Sequence, residues 1–95
     1  MISFIVRMRF AEEDHAEIES ILHQLTLASR AEPGCVSYNS HFVEDDANTV
    51  VIYEQYRDEP ALEAHRGTAH FERFAVGGLY QKMKEREIEN LTAIL

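Results

Sequence analysis

The N-terminal stretch alternates between apolar and polar side chains with the two-residue period of a β-strand. In ISFIVRMRF, residues 2–10, every second position from Ile2 to Phe10 is apolar, and two arginines stand at positions between them. Residues 11–32 change to helical spacing of their apolar side chains and open on three acidic residues, which suit the positive end of a helix dipole. The chain therefore begins with a strand and a helix.

Turn signals then predict a β-hairpin. Pro33-Gly34 ends the first helix, and the segment from Cys35 to about Glu44 is rich in the valine, tyrosine and phenylalanine typical of strands. Asp45–Asn48 has the composition of a turn, so residues 49–57 should pair with the preceding strand.

Helical signals return after the hairpin. Residues 58–66 predict a short helix that ends at Gly67, and Thr68 is placed to cap a second helical piece. That piece runs over residues 69–85, and the pair Gly77-Gly78 is expected to interrupt it.

The last ten residues, 86–95, predict a fourth strand, which gives the order βαββαβ. This order indicates a single domain over residues 1–95 with a ferredoxin-like α+β fold, in which helices cover one face of an antiparallel sheet.

The third strand predicts a sheet that is apolar on both faces. Val50 and Ile52 point to one face, and Val51 and Tyr53 point to the other. Because two helices can cover only one face, we expect homodimerisation through the open sheet face.

Composition excludes several classes of partner. The 95 residues are 45% hydrophobic and 27% charged, which is typical of a globular domain, and the formal net charge is −8. This charge disfavours nucleic acid and anionic membranes as partners. Cys35 is the single cysteine, and the N-terminal run lacks the features of a signal peptide, so a cytoplasmic location is predicted.

Two histidines in AHRGTAHF, residues 64–71, are the first candidates for chemistry. His65 and His70 are five residues apart with Gly67 between them, whereas helical metal ligands usually stand four apart on one face. We therefore expect no metal site. A neutral His70 near a helix start, or an inward-facing His65, is suited to act as a general base. The alternative is a partly buried histidine satisfied by a backbone carbonyl, and spacing alone favours that alternative.

Glu54 is the second candidate because it shares a strand face with Val50, Ile52 and Tyr56. A carboxylate among apolar neighbours must be paired or have a raised pKa. A salt bridge to an arginine of the first strand, Arg7 or Arg9, is as consistent with the sequence as a functional role.

Two segments resemble the antibiotic biosynthesis monooxygenase family. These are EPGCVSYN, residues 32–39, and VVIYEQYRDEPALEAHRGTAHFERF, residues 50–74. The family pattern runs E-P-G-C-x-x-Y, then a strand ending E-x-W/Y, then A-L-x-A-H-x-x-[ST]-x-H-F. The resemblance covers nearly the whole chain and implies a dimeric α+β barrel of ferredoxin-like subunits.

The resemblance implies a monooxygenase that uses no cofactor and oxidises a small phenolic or quinol substrate with dioxygen. In that chemistry a protein base removes the phenolic proton, and the substrate supplies the electrons. The matching catalytic positions are His65 and His70, with Glu54 as a partner that fixes a histidine tautomer or an arginine. The positions expected to bind substrate are aromatic or acidic: Tyr38, Tyr53, Glu54, Tyr56, Phe71 and Phe74.

Departures from the family pattern leave alternatives open. The chain has no tryptophan, and Tyr56 stands where many members have one, which argues against the haem-degrading branch. YEQYRDE and HRGTAHF are also similar to the branch that isomerises or degrades a phosphorylated autoinducer-2 sugar ketone. Its phosphate would need arginines, for which the candidates are Arg7, Arg9, Arg57 and Arg66. A third hypothesis is a dimeric module that binds a small molecule without catalysis.

Overall fold

The computed structural model describes all residues from Met1 to Leu95 and confirms the predicted α+β fold. The elements in chain order are β1 Ile2–Arg9, a 3-10 turn Glu12–Asp14, α1 His15–Arg30, β2 Cys35–Val43, β3 Asp46–Tyr56, α2 Glu59–Arg66, a π-helix Phe71–Leu79, α3 Tyr80–Lys82 and β4 Glu85–Leu91. The four strands form one antiparallel sheet in the order β2-β3-β1-β4, which is the ferredoxin-like topology. None of the helices is long and apolar enough to cross a membrane.

One face of the sheet carries the core. The predicted alternation of β1 is confirmed, with Phe4, Val6 and Met8 buried beneath the helices. Their partners on β3 share the same face, so Val50 and Ile52 are also buried and pack against apolar side chains of α1.

The other face of the sheet has no helix over it. Ile5, Val51 and Tyr53 are half-buried there, next to Arg7 of β1 and Glu87 of β4. The two-sided apolar pattern predicted for the third strand is therefore present in the fold.

Two predicted boundaries were wrong. The hairpin turn is Glu44-Asp45, and Asp46 already belongs to β3, where it pairs with Val43. The Asp46 carboxylate accepts hydrogen bonds from the Asn48 amide and the Thr49 hydroxyl, so the polar residues taken for the turn stabilise the first residues of the strand. The last strand ends at Leu91 rather than at residue 95.

The predicted break at Gly77-Gly78 is also wrong, because the π-helix continues through both glycines. A Cβ atom on Gly78 would lie 3.3 Å from the Ile21 side chain of α1. The absence of a side chain therefore allows the π-helix to pack closely against α1, and this contact offsets the low helix propensity of glycine.

Gly34 marks the closest approach between the α1–β2 turn and α2. A Cβ atom at Gly34 would lie 2.3 Å from Ala61 Cβ, so Gly34→Ala must push the turn away from α2. We expect a loss of roughly 1–3 kcal/mol in the free energy of unfolding, measured by urea denaturation. Gly67→Ala is the matched control, since its Cβ would meet no atom closer than 3.6 Å. Equal stability of the two variants would contradict this packing.

Candidate active site

A small cavity lies between the sheet and the helices, on the side of β1 and β4. About 50 Å³ of it is open to water, which is room for a few water molecules and not for an aromatic ring. Apolar side chains of β1, β3, α1, α2 and the π-helix form most of its wall. The polar side chains that line it are Tyr38, Glu54, His65, Arg66, Tyr80 and Arg86.

Local capping interactions set the position of His65 in α2. The Asp58 carboxylate accepts a hydrogen bond from the Ala61 amide at 2.9 Å and begins the helix, and Gly67 ends it. The Thr68 hydroxyl donates to the His65 carbonyl at 2.8 Å and accepts from the Phe71 amide at 3.1 Å. Thr68 thereby joins α2 to the π-helix, as its predicted capping role requires.

The imidazole of His65 is buried between two carboxylates. Its Nδ1 lies 2.8 Å from Glu32 Oε2, within hydrogen-bond distance, and its Nε2 lies 3.8 Å from Glu54 Oε1. The same Glu32 oxygen lies 2.5 Å from His70 Nε2. Side-chain exposure falls from 21% at His70 to 11% at Glu32 and 3% at His65, so the cluster leads from the surface to the cavity.

Glu54 lies at the inner end of the cavity with a tyrosine as its partner. The Tyr56 hydroxyl donates to Glu54 Oε1 at 2.7 Å. The rings of Tyr56 and Tyr38 pack on His65, with centroids 5.1 and 5.8 Å away, so aromatic side chains surround the imidazole.

Burial shifts the pKa values of the two cavity groups in opposite directions. Desolvation lowers the pKa of His65, while its hydrogen bond to Glu32 acts against this change. Desolvation raises the pKa of Glu54 to about 7, and the hydrogen bond from Tyr56 opposes that rise. Around neutral pH the cavity therefore holds a neutral imidazole beside a carboxyl group that is partly protonated. Such a pair can accept one proton and donate another.

A cation could be accommodated by the same cluster. The ligand atoms of Glu32, His65 and His70 all lie within 4.8 Å of one another. The sequence spacing of the histidines gave no sign of this arrangement, because the third group comes from a turn that is distant in the chain. Every activity assay below therefore uses protein treated with a chelator.

The predicted site residues do not all meet at the cavity. Tyr38, Glu54, His65 and Phe71 line it. Tyr56 reaches it through its hydrogen bond to Glu54.

Three predicted site residues lie elsewhere. His70 is behind His65 and contacts Glu32. Phe74 packs at the margin of the core under the guanidinium of Arg73, 5.0 Å from its ring centroid. Tyr53 is on the open sheet face, because neighbouring residues of a strand point to opposite faces.

The salt bridge from Glu54 to the first strand is absent. Arg9 pairs with Glu85 at 3.1 Å, and Arg7 lies with it on the open face, away from Glu54. Glu54 shares its face with Phe4, its partner on β1, so an arginine at an alternate position of that strand cannot reach it.

Sequence reasoning missed Glu32 and Arg86. Glu32 is the first residue of the EPGC segment, and this match was the one signal that pointed to it. Arg86 of β4 lies at the mouth of the cavity, with its guanidinium 5.1 Å from the Tyr80 ring centroid. No spacing pattern in the sequence singled it out.

The raised pKa of Glu54 predicts a stability difference that depends on pH. Folded Glu54 stays protonated up to about pH 7, whereas the unfolded side chain ionises near its ordinary 4.5. Its stabilising contribution is therefore complete below pH 4.5 and is lost as the pH rises through 7.

Glu54→Gln removes this loss and keeps an oxygen acceptor for Tyr56. From pH 5 to pH 8 the variant should gain roughly 2 kcal/mol of unfolding free energy relative to the wild type. The lowered pKa of His65 acts in the opposite sense, but His65 is present in both proteins. Urea unfolding at the two pH values measures the difference, and parallel changes in both proteins would disprove it.

Comparison with known proteins agrees with the fold. The family model described as antibiotic biosynthesis monooxygenase matches residues 1–76. The Bacillus subtilis protein YcnE, named as a candidate monooxygenase, is 33% identical over 78 residues, which are 82% of each chain. Rv0793 of Mycobacterium tuberculosis, also named as a candidate monooxygenase, is 30% identical over 74% of this chain and 68% of its own.

Solved structures give the same result. The crystal structure of PA3566 from Pseudomonas aeruginosa has a TM-score of 0.89 at 32% identity, covering 99% of this chain and 94% of that one. A crystal structure described as an antibiotic biosynthesis monooxygenase has a TM-score of 0.91 over both full chains at 23% identity, which shows a shared fold. The chain belongs to the antibiotic biosynthesis monooxygenase family.

Proposed function

We propose that the protein is a monooxygenase that needs no cofactor and oxidises a small phenolic or quinol substrate with dioxygen. The observation that carries the proposal is the buried His65, which lines a mostly apolar cavity with its Nε2 3.8 Å from Glu54 Oε1 and its Nδ1 2.8 Å from Glu32 Oε2. Family membership supports oxidation as the reaction class.

His65 and Glu54 have complementary parts in this chemistry. His65 Nε2 removes the phenolic proton, and the resulting electron-rich anion transfers an electron to dioxygen. The radical pair joins to form a carbon–oxygen bond and a peroxide. The proton on His65 returns to the peroxide anion. Cleavage of the O–O bond and loss of the hydrogen on the same carbon then release water and leave a carbonyl oxygen in the product, so the substrate supplies all the electrons that reduce dioxygen. Glu54 in its protonated form donates a proton to the departing oxygen and recovers one from the broken C–H bond.

The cavity walls are consistent with an aromatic substrate. Phe71 and the aliphatic side chains of β1 and β3 offer apolar contact, and the interior excludes bulk water, which would otherwise solvate the anion. Since only about 50 Å³ is open, substrate entry requires side chains at the mouth to move. The exposed side chains of the cavity lining are Arg66, Arg86 and Ile88.

The phosphorylated sugar ketone has weaker support as a substrate. Of the four arginines considered for its phosphate, Arg7 and Arg9 lie on the open sheet face, and Arg57 lies beside Asp58 at 3.5 Å. Arg66 lines the cavity but is paired with Glu63 at 3.0 Å.

We also propose a homodimer formed through the open sheet face. Ile5, Val51 and Tyr53 give that face an apolar centre, while Arg7 and Glu87 place opposite charges beside it. A twofold axis would bring the basic strand of one protomer near the acidic strand of the other and cover the apolar centre.

Oxygen uptake tests the proposed reaction. Chelator-treated wild type with a panel of hydroquinones and anthrone-like phenols should consume dioxygen, and His65→Ala should lower kcat by about 10²–10⁴-fold because it removes the base. His23→Ala, an exposed histidine of α1 outside the cavity, is the matched control and should retain full activity. Circular dichroism establishes that each variant is folded.

Absence of uptake from every substrate would count against the oxygenase. Turnover of a phosphorylated ketone without oxygen consumption would instead support the isomerase, and ligand binding with no turnover would support the binding module.

A charged side chain on the open face tests the dimer. Tyr53→Glu should change the mass measured by light scattering from that of a dimer to that of a monomer, since like charges would meet across the twofold axis. Leu27→Glu, at a position of α1 that is 56% exposed and lies on the helical side of the sheet, should remain dimeric. A monomeric wild type would refute the proposed assembly.

A further inference from the structure

We propose that Glu32 and His70 are positioning residues, which together fix the tautomer of His65 so that an unprotonated Nε2 faces the cavity. The inference rests on the proposed function, because it explains how that function obtains its base. Neither residue lines the cavity, so both act through His65.

The geometry of Glu32 dictates where the protons lie. One carboxylate oxygen is within 2.8 Å of His65 Nδ1 and 2.5 Å of His70 Nε2. An ionised carboxylate offers only acceptors, so each ring must donate through the nitrogen that faces it. The opposite tautomer of His65 would turn a nitrogen lone pair towards the lone pairs of Glu32. The other nitrogen of His65, Nε2, is therefore free to accept a proton from substrate.

The charge of Glu32 also favours proton uptake by His65. The hydrogen bond between His65 and Glu32 and the charge of Glu32 both raise the pKa of His65, against the larger lowering that burial causes. A carboxylate that orients an imidazole and stabilises its protonated form is the arrangement that makes histidine an effective base in other enzymes.

His70 holds the carboxylate in place. Glu32 lies in the short segment between α1 and β2, and its side chain meets rings from α2 and from the start of the π-helix. The hydrogen bond from His70 restrains the carboxylate on the side away from His65. Thr68 in turn restrains the distance between the two histidines through its hydrogen bonds at both ends of the connection.

Several other groups bear on the protonation of His65 and belong in the interpretation of any pH profile. Those that face it or act on it from the packed elements are Glu32, Tyr38, Glu54, Tyr56, Arg66 and His70.

The ring nitrogens of His65 provide the test, because ¹⁵N NMR distinguishes the two tautomers without turnover. In the wild type at neutral pH we expect the proton on Nδ1. Glu32→Ala should shift His65 towards a mixture of tautomers and lower kcat by roughly 10–100-fold with little change in KM. Glu32→Gln, which keeps an oxygen acceptor, should retain the tautomer but lower the pKa of His65 because the negative charge is gone.

The His70 variants separate positioning from a merely structural role. His70→Gln keeps an N–H donor for Glu32 and should retain most of kcat. His70→Phe removes the donor and should lower kcat by as much as Glu32→Ala does. An unchanged His65 tautomer in Glu32→Ala, or equal kcat in the two His70 variants, would overturn the inference. A wild type that consumes no oxygen would count against the proposed function. The NMR spectra would still show whether Glu32 and His70 fix the tautomer of His65.

Discussion

The Glu32 carboxylate connects three parts of the chain that would otherwise meet only through apolar contact. It is nearly buried, so it must be satisfied by donors, and it receives two imidazole N–H groups. Hydrogen bonds to a charged group contribute about 1.5–3 kcal/mol each. These hydrogen bonds fix the relative positions of the α1–β2 segment, α2 and the beginning of the π-helix. The orientation of His65 towards the cavity follows from those positions.

Desolvation gives the two cavity groups their separate chemical characters. The same apolar surroundings disfavour imidazolium at His65 and carboxylate at Glu54, so they lower one pKa and raise the other. Two carboxylates on opposite sides of one imidazole thus differ in function, since one is anchored by N–H groups and the other by a tyrosine hydroxyl.

The two faces of the sheet have different roles in the fold. Alternation along β1 and β3 sends one set of side chains into the core and cavity and leaves the other set without a covering layer. In so small a domain the helices have apolar area for one face only, so the cavity and the open face are consequences of the same arrangement. The reaction and the assembly proposed above therefore use opposite surfaces of the same strands.

Periodicity in the sequence by itself determined the order of elements, the hairpin, and the inward direction of Glu54 and His65, because these depend only on local repeat and neighbouring residues. It misplaced the hairpin turn and the end of β4, because side-chain hydrogen bonds and strand pairing set those boundaries. Tertiary structure alone decided that Glu32 meets His65 and His70, which follow it by 33 and 38 residues. Local pattern carries no information about contacts at such separations, since they form only when α2 and the π-helix pack beside the α1–β2 segment.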